Sequence, residues 1–275
     1  MVILLIIKKP KKYEIDIFLP DINLGFECNG VWWRSEVYKE KNYHIEKIKY
    51  FNNIGIKIIN IWEDWWKYKN EIIKSIIENK LNYNKNKIYA RCTKIKEIES
   101  NSQVKEFLNK NHLQGYTQSK YKIGLFYNNE LVSIMTFGKR RIALGKKSSD
   151  NNEYELIRFC NKLNTNVIGG ASKLFNFFIN NINTSKITSY ADLSISEGDL
   201  YKKIGMRYIS TTSPNYTYFN KDIRMRLNRF NFRKDILIRN GYNKNNSEHD
   251  IMNSRGYYRI YDCGNLSFEY KKTPD

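Results

Sequence analysis

The sequence predicts an α/β protein of two domains, and three observations support this prediction. Residues 12 to 62 have the hydrophobic periodicity of strand, turn, strand, helix and strand in that order. Residues from about 88 to 220 alternate short strands with helices in an order that favours a largely antiparallel sheet. Between them, the polar run NYNKNK is typical of a linker. The expected domains are residues 1–84 and 85–235, with a C-terminal tail extension at 236–275.

In the first half, YEIDIF and LGFECNG have the period-2 pattern of strands, and PDIN between them carries turn residues, so these runs predict a β-hairpin. A helix is expected from Ser35, a plausible N-cap, to Gly55, a residue type that suits the position after a helix. IKIINIW predicts a buried strand, and EDWWKYKNEIIKSIIENKL predicts a second amphipathic helix. The apolar start MVILLII is too short to span a bilayer and is expected to form an edge strand or the remnant of a longer element.

In the second half, NSQVKEFLNKNHL has helical spacing, and KYKIGLFYNNELVSIMTFGKRR contains two strands around a turn at residues 128–130. YELIRFC predicts another strand, and a pair of glycines leads into the helix GGASKLFNFFINN. KITSYAD predicts a strand, EGDLYKKIGM a short helix that ends at Gly205, and YISTTSPNYTYF two final strands. This order predicts a mixed α/β domain around a largely antiparallel sheet.

The charge of the chain favours a polyanionic partner. The 275 residues include 47 Lys and Arg against 28 Asp and Glu, which gives a formal net charge of +19. Each phosphate that a protein neutralises releases condensed counterions, so double-stranded DNA is the expected partner. An AT-rich genome would also raise the content of Lys, Asn and Ile without any binding role, and the placement of arginines separates the two explanations.

The cysteines indicate a reducing compartment. The four cysteines are isolated, with no CxxC pair and no His at the spacing of a zinc finger, so neither a zinc site nor a disulfide framework is indicated. No run of residues predicts a membrane span or a signal peptide. We therefore expect a cytoplasmic protein, or one in the host cytoplasm if the gene belongs to a phage.

Three carboxylates lie in the predicted hairpin. If its turn centres on residues 21 and 22, Asp16 faces Glu27, and Glu14 lies on the same face of the hairpin. Opposed carboxylates repel each other, and cation binding is the usual reason to tolerate this repulsion. We expect Asp16 and Glu27 to bind a divalent metal, with Glu14 assisting. The alternative is a solvated strand face.

The predicted helix after the hairpin carries His44 and Lys47. The spacing of three residues lets both side chains project from one face toward a neighbouring strand. Such groups could orient a water molecule or stabilise charge that develops on a phosphate. The alternative is that Lys47 pairs with one of the hairpin carboxylates.

The runs EIDIFLPDINLGFECNG, VWWRSE and YHIEKIKYFNNIGIKIINIWED resemble, in this order, the nuclease core of phage-encoded homing endonucleases related to very-short-patch repair endonucleases. This group is a branch of the PD-(D/E)xK superfamily. The resemblance covers roughly residues 10 to 80 and implies that Asp16 and Glu27 bind Mg²⁺, while Lys47 and His44 orient the nucleophile or offset charge. Arg34 stands where the family often has a His, and we expect it to contact DNA.

In the second half, ELVSIMTF, YELIRFC, NVIGGASKLF, ITSYAD and LYKKIGM resemble GCN5-related acyltransferases, including the Mom-like branch found in phages. Free N–H groups at the start of a helix can hold phosphate. The resemblance implies that Gly169, Gly170 and Ala171 form a cradle for the pyrophosphate of acetyl-CoA. Asn166 takes the first place of the family's Arg/Gln-x-x-Gly-x-Gly/Ala motif. A simple turn before a helix is the alternative explanation of these glycines.

The run KDIRMRLNRFNFRKDILIR alternates basic with apolar and aromatic residues, which suits contacts with a nucleic-acid backbone together with stacking. AT-rich codon usage does not favour arginine at this density, whereas a solvated surface would be compatible with it. The predicted DNA contacts in this run are Arg224, Arg226, Arg229, Arg233 and Lys234.

These observations favour a Mg²⁺-dependent DNA endonuclease of the homing type, in which the second domain and the basic run hold the DNA. The alternative is an acyltransferase that uses acetyl-CoA to modify nucleobases, with a degenerate nuclease domain as a DNA-binding appendage. By resemblance, Tyr201 stands where many acyltransferases keep their general acid, although packing on the sheet is the simpler role for it. A third interpretation is a DNA-binding protein without enzymatic activity.

Overall fold

The computed structural model describes residues 13–83, 86–140, 152–222 and 224–272. Their contacts form two compact units, here called unit 1 and unit 2. Of the described residues, unit 1 comprises 13–68, 192–197 and 211–265, and unit 2 comprises 69–191, 198–210 and 266–272. The domain boundaries at residues 84 and 235 stay predictions. Residue 84 and the predicted N-terminal edge strand lie outside the described residues.

The strands and helices are numbered in chain order. The strands are β1 (Ile17–Leu19), β2 (Leu24–Asn29), β3 (Lys57–Trp62), β4 (Asn86–Tyr89), β5 (Lys94–Glu97), β6 (Tyr121–Tyr127), β7 (Glu130–Lys139), β8 (Glu153–Asn161), β9 (Thr165–Ile168), β10 (Lys186–Asp192), β11 (Arg207–Thr211), β12 (Tyr216–Asn220), β13 (Leu227–Asn228), β14 (Tyr257–Tyr261) and β15 (Asn265–Lys271). The helices are α1 (Tyr43–Asn53), α2 (Glu63–Tyr68), α3 (Asn70–Lys80), α4 (Asn101–Asn111), α5 (Gly170–Asn181), α6 (Asp199–Lys203), α7 (Lys234–Arg239) and α8 (Glu248–Ser254). The predicted α/β class is confirmed. No helix within the described ranges is long and apolar enough to cross a membrane.

Unit 1 contains the predicted hairpin. β1 and β2 pair in antiparallel fashion with Ile17 opposite Phe26 and Leu19 opposite Leu24, which is the predicted register. A 3-10 turn at Pro20–Ile22 and Asn23 in the left-handed region, with φ of 49°, reverse the chain. β3 then pairs in parallel with β2 after α1. The hairpin, helix and parallel strand thus occur in the predicted order.

Two helix boundaries in the first half differ from the prediction. The helix expected from Ser35 begins only at Tyr43, because Ser35 is fully buried, pairs in a β-bridge with Ile260 and donates its hydroxyl to the carbonyl oxygen of Trp32. The second helix is divided at Lys69 into α2 and α3. Gly55 does follow α1 with φ of +79°, as its predicted position after the helix requires.

A second sheet of unit 1 has the order β13-β12-β14, and both pairs are antiparallel. One of its faces carries Phe219 and Ile260, which pack with Val31 and Trp62 in a core of fully buried side chains. The opposite face carries Tyr218, which packs against Leu237 of α7 and the apolar side chains of α8. Residues 227–228 of the basic run are therefore part of this sheet, and the helix α7 that follows packs on it.

Unit 2 is built on a seven-stranded sheet of order β11-β15-β10-β8-β7-β6-β5. The pairs from β5 to β8 are antiparallel and β8 pairs with β10 in parallel, so the predicted mixed and largely antiparallel sheet is confirmed. Asn128 and Asn129 both have positive φ, as a tight turn between β6 and β7 requires. α5 packs on the sheet, and its Phe178 ring stacks on Phe137 at 3.7 Å between ring centroids. Burying one such ring stabilises the unit by roughly 1.5–3 kcal/mol.

The segment after residue 264 completes this sheet. β15 lies between β11 and β10, and its Phe268 is fully buried against Tyr201 and Tyr208. The sequence pattern of the last residues predicted only a tail. The reason is that both neighbours of β15, β11 and β10, are distant in sequence, so the chain carries no local hairpin signal for this strand.

Gly198→Ala is expected to destabilise unit 2 more than Gly205→Ala. Both glycines have positive φ, +79° and +86°, so alanine costs about 1–2 kcal/mol of backbone strain at either position. At Gly198 the new Cβ would also lie 2.2 Å from Cζ of Phe268, which adds about 1–3 kcal/mol of overpacking. At Gly205 no heavy atom of the described residues lies within 4 Å of that position. Denaturant unfolding followed by circular dichroism measures the difference, and equal destabilisation by the two variants would contradict the packing of Gly198 against Phe268.

Candidate functional site

The backbone pairing of β8 with β10 is short. Only residues 153–155 of β8 pair with residues 186–188 of β10, although β8 continues to Asn161 and β10 to Asp192. Just past the last pair, the Ser189 hydroxyl donates to the carbonyl oxygen of Leu156 at 2.9 Å. Backbone polar groups of a strand need partners, and on this side of β8 the ladder no longer supplies them. Beyond residue 155, β8 therefore has no backbone pairs with β10.

The other side of β8 contains a β-bulge at the same level. Thr136 of β7 pairs with Arg158 and Phe137 pairs with Leu156, so Ile157 is an extra residue in β8. The Arg158 guanidinium donates to the carbonyl oxygen of Ile157 at 2.9 Å and to that of Gly115 at 3.0 Å. Bulges of this kind change the direction of a strand and occur often next to active sites. Arg158 thus fixes the local backbone at the point where β8 leaves regular pairing.

A cavity of about 390 Å³ adjoins the bulge. Ile157 lines it together with Gly138 and residues 117–120, and the lining includes the two basic residues Lys120 and Lys139. A side chain at Gly138 would bring its Cβ to 2.7 Å from Cδ1 of Ile157, so the absence of a side chain there keeps the bulge in place. The volume is within the range of small-molecule sites, about 300–1,000 Å³.

The N-terminus of α5 follows β9 through two glycines. Gly169 is exposed and has φ of +78°, and a Cβ on Gly170 would lie 2.9 Å from Cγ1 of Val167, so neither position accepts a larger residue easily. Ala171 is buried. The first turn of α5, which the structure describes in full, contains no acidic residue. Its free N–H groups and the positive end of the helix dipole therefore stay uncompensated by a carboxylate.

Lys173 adds positive charge to this helix start. Its ammonium donates to the carbonyl oxygens of Ala90, at 2.8 Å, and Thr93, at 2.5 Å. A cation in the first turn is unfavourable for the helix dipole, so the potential at this end of α5 favours an anion. Asn166, in the first place of the glycine motif, is half-buried in β9.

Tyr201 lies in α6, and its ring stacks on Phe268 at 5.0 Å between centroids. Its hydroxyl donates to the carbonyl oxygen of Tyr190 at 3.3 Å. Burial raises the pKa of Tyr201, although hydrogen bonding with Ser189 opposes the shift. This placement agrees with the packing role that was the simpler expectation for Tyr201.

In unit 1, the hairpin carboxylates occupy very different environments. Glu14 and Asp16 are exposed, and Asp16 accepts the backbone N–H of Cys28 at 2.7 Å. Glu27 is only 1% exposed, and its Oε2 lies 2.6 Å from Nζ of Lys47. Burial raises the pKa of Glu27, the Lys47 ammonium opposes this shift, and Asp16 adds to it. Lys47 thus supplies the positive charge that Glu27 was expected to receive from a metal.

His44, Lys47 and Arg34 lie close to one another in unit 1. Arg34 donates to the side-chain oxygen of Asn29 at 2.8 Å and lies 3.7 Å from Glu27. His44 is 2% exposed, and neither of its ring nitrogens has a hydrogen-bond partner among the described residues. Burial, together with the charges of Arg34 and Lys47, lowers the pKa of His44 to about 3, so the imidazole is neutral at neutral pH.

The predicted DNA contacts after residue 220 are not equivalent. Arg226 is 10% exposed, donates to both carboxylate oxygens of Asp64 and lies over the ring of Trp62 at 4.2 Å, which places it inside unit 1. Arg224 is exposed and lies 3.8 Å from Glu63. Arg233 and Lys234 are exposed at the start of α7, where Arg233 pairs with Asp235. The remaining residue, Arg229, lies over the ring of Tyr216 at 4.2 Å.

The comparisons with known proteins give structural similarity only. No model of a known protein family matches the sequence, and no curated protein matches it. Among solved structures, a Bacillus subtilis acetyltransferase in complex with CoA is 15% identical and has a TM-score of 0.37, with 66% of this chain and 99% of that chain covered. The ribosomal-protein-S18-alanine N-acetyltransferase from Escherichia coli is 9% identical, with a TM-score of 0.39 and coverage of 66% and 96%.

A GNAT family acetyltransferase from Elizabethkingia anophelis with acetyl-CoA bound is also similar, at 15% identity and a TM-score of 0.36, with 66% of this chain and 99% of that chain covered. All three are acetyltransferases. Because the TM-scores are below 0.5, an inference about activity has to rest on the strands and side chains of this chain.

The prediction of a Mg²⁺-dependent DNA endonuclease is wrong. The similar structures are acetyltransferases, and they give no support to a PD-(D/E)xK nuclease or another hydrolase. Within the described ranges, no three or more His, Cys, Asp or Glu side chains are grouped so that they could hold a metal ion. Asp16 and Glu27 as metal ligands stay a prediction; in the structure Glu27 pairs with Lys47, which was the alternative expected for this lysine, and Asp16 accepts a backbone N–H.

Several residues of the site were missed in the sequence. The bulge at Ile157 and the structural role of Arg158 depend on the register between β7 and β8, which no single strand pattern reveals. The lysines that line the cavity, Lys120 and Lys139, flank the predicted β6 and β7 hairpin, so their position at the strand ends was a usable signal.

Removing one charge of the Lys47 and Glu27 pair is expected to destabilise unit 1 more than removing both. Glu27→Gln and Lys47→Met should each cost about 3–5 kcal/mol, because each leaves the partner buried and unpaired, whereas the double variant removes both charges. All five tryptophans belong to unit 1, so urea unfolding followed by tryptophan fluorescence reports on this unit. If the two single effects simply add in the double variant, the two groups do not interact.

The neutral His44 is expected to make unit 1 sensitive to acid. Its folded pKa of about 3 lies below the ordinary value of 6.5, so the unfolded chain binds the extra proton as the pH falls below 6.5. The free energy of unfolding is therefore highest above pH 6.5 and should fall by roughly 2 kcal/mol between pH 7 and pH 5. His44→Phe should flatten this part of the profile, measured by urea midpoints at several pH values. A variant with the wild-type profile would assign the acid sensitivity to other groups.

Proposed function

We propose that unit 2 is an acyl-CoA-dependent acyltransferase and that its acceptor is nucleic acid. The observation that carries this proposal is the combination of the bulge at Ile157 and the early end of β8 and β10 pairing, followed along the chain by the glycine entry into α5. Together these features give one strand that leaves regular pairing beside a cavity and one helix start that favours an anion.

The residues at the start of α5 fit the pyrophosphate of an acyl-CoA. Gly169 is exposed and leaves the backbone at the helix start without a side chain, and the first turn lacks any carboxylate that would repel phosphate. Lys173 increases the positive potential of this helix end while it holds the turn at Ala90 in place. Gly169, Gly170 and Ala171 would thus hold the diphosphate through their backbone N–H groups.

The unpaired part of β8 fits the reacting end of the donor. Acetyl-CoA, when bound, supplies an acetyl thioester. Beyond residue 155, β8 has no backbone pairs with β10, and in this proposal the carbonyl oxygen of the thioester binds along that stretch. Fixed N–H donors stabilise the negative charge that develops in acyl transfer. Arg158 positions this backbone through the Ile157 carbonyl oxygen.

The cavity beside the bulge fits a negatively charged acceptor. Lys120 and Lys139 line it, and the whole chain has a net charge of +19, which favours nucleic acid over a cationic substrate. Double-stranded DNA is the acceptor that we propose to test first, in line with the Mom-like alternative interpretation of the sequence. A cytoplasmic location belongs to the same proposal.

Ser172→Glu is expected to weaken acetyl-CoA binding without weakening the fold. Ser172 lies in the first turn of α5, where a carboxylate favours the helix dipole by about 0.3–1 kcal/mol but repels a diphosphate. We expect the affinity measured by calorimetry to fall roughly tenfold or more, which corresponds to about 1.4 kcal/mol. Ser172→Gln has nearly the same shape without the charge and is the matched control. Equal affinities of the Glu and Gln variants for acetyl-CoA would show that the pyrophosphate does not bind at this helix start.

The activity itself is tested by transfer of label from radioactive acetyl-CoA to duplex DNA. Labelled nucleosides after digestion of the DNA are the expected result. Binding of acetyl-CoA with labelling of protein amines alone would keep the acyltransferase and exclude the nucleic-acid acceptor. If acetyl-CoA does not bind at all, unit 2 is not an acyltransferase of this kind.

A further inference from the structure

One face of the sheet β13-β12-β14 brings arginine and tyrosine side chains together. Tyr216 is paired with Tyr261 and Tyr218 with Arg259, so these four residues share a face of the β12 and β14 pair. On the other side of β12, Asn228 is opposite Thr217, and the same register places Arg229 beside Tyr216. Arg229, directly after β13, and Arg259 of β14 thus approach Tyr216 from its two sides in the sheet.

Both guanidinium groups lie over the ring of Tyr216. The distance to its centroid is 4.2 Å for Arg229 and 4.4 Å for Arg259. Stacking on an aromatic ring holds a planar guanidinium in one orientation, which lowers the entropy that it would lose on binding a ligand. The Arg229 side chain is held further by a hydrogen bond to Asn215 at 3.1 Å.

No carboxylate of the described residues forms an ion pair with either guanidinium. The acid in this region, Glu248, accepts the hydroxyls of Tyr216 at 2.8 Å and Tyr218 at 3.0 Å instead. The Nε atoms of Arg229 and Arg259 are buried and have no hydrogen-bond partner in the part of the chain that the structure describes. The Arg259 guanidinium hydrogen-bonds with the hydroxyls of Tyr218 and Tyr261, which are neutral groups. Positive charge is therefore left without a carboxylate partner at this end of the face.

The two charges are close enough to repel each other. Their distances to the shared ring place the guanidinium carbons within about 9 Å of each other, a separation at which partly buried charges are poorly screened. An anion between or beside them would remove this repulsion. Phosphate oxygens match the forked geometry of guanidinium N–H donors.

The other basic residues of unit 1 do not form a comparable arrangement. Arg226 is bound by Asp64 on the opposite face of the sheet, because it stands an odd number of positions before Arg229. Arg233 and Arg239 share the carboxylate of Asp235. Phe230, next to Arg229, is 60% exposed and offers an apolar surface beside the two guanidinium groups.

We propose that Tyr216, Arg229 and Arg259 form a phosphate-binding site for the backbone of double-stranded DNA. The inference rests on the proposed function for the nature of the partner, but its test needs neither acetyl-CoA nor acyl transfer. The tyrosine holds the two arginines at fixed positions, and each arginine contacts a backbone phosphate. The exposed Phe230 lies where it can contact a sugar or a base beside that phosphate.

The test is the salt dependence of DNA binding, measured by fluorescence anisotropy with a labelled duplex. The double variant Arg229→Gln and Arg259→Gln should lower the slope of log affinity against log salt concentration by about 1.8, or 0.9 for each phosphate that is no longer neutralised. The control is Arg233→Gln with Arg239→Gln, which removes the same charge from exposed positions of unit 1. We expect the control to change the slope by less than half as much, because distant charges are screened.

A slope that is unchanged in the Arg229 and Arg259 variant, or equal in both double variants, overturns the proposal. If the variant fails to fold, phenylglyoxal modification of the wild-type protein gives a second test. Bound DNA should protect Arg229 and Arg259 but not Arg233, and modification at equal rates with and without DNA overturns the site.

A small phosphorylated ligand is the other source of the same chemistry. Stabilisation of unit 1 by inorganic phosphate, without any binding of duplex DNA, would assign the site to such a ligand and overturn DNA as the partner. DNA binding that depends on Arg229 and Arg259 but occurs without acyl transfer would support this site while it refutes the proposed enzymatic function. The two proposals can therefore fail separately.

Discussion

Unit 2 depends on how β8 divides its backbone hydrogen bonds between two neighbours. Regular pairing with β7 and β10 would satisfy every backbone group and leave nothing for a ligand. Instead, the extra residue Ile157 interrupts the ladder on one side, and on the other side pairing with β10 ends after three positions. The sheet can tolerate this interruption because Arg158 and the Ser189 hydroxyl occupy carbonyl oxygens of the same stretch. Ile157, the extra residue, also lines the cavity, so the irregularity and the candidate site have one cause.

In unit 1, burial determines which charged residues are available to bind a ligand. Glu27 and Arg226 are both conspicuous in the sequence, and both turn out to be held by an opposite charge inside the unit, Glu27 by Lys47 and Arg226 by Asp64. A buried charge that is already neutralised contributes to packing and specificity and has little capacity left for a metal or a phosphate. The charges available for function are instead those whose hydrogen-bonding groups are incompletely used, such as Arg229 and Arg259.

Local patterns predicted the elements better than their partners. The hairpin register of Ile17 and Phe26, the turn at residues 128–130 and the helix after Gly169 follow from short-range signals, and the structure confirms them. The helix start at Ser35 was wrong because a long-range bridge to Ile260 controls that residue. Arg226 and Arg229 occupy similar positions in an alternating basic run, yet strand periodicity places their side chains on opposite faces of the sheet β13-β12-β14. No local pattern predicts a role for Arg259, since its contact with Tyr216 forms only when β12 and β14 pair.

The position of β15 has a consequence for biosynthesis. Its Phe268 fills the space against Tyr201, yet more than sixty residues separate the two along the chain. While the ribosome is still making those residues, the apolar surface on β10 and α6 has no cover, and a nascent chain in that state is open to premature association. Because such distant contacts slow folding, the last strand sets the moment at which the sheet can close. Folding of this sheet thus depends on the synthesis of β15, and chaperone binding before that strand is made would protect the intermediate.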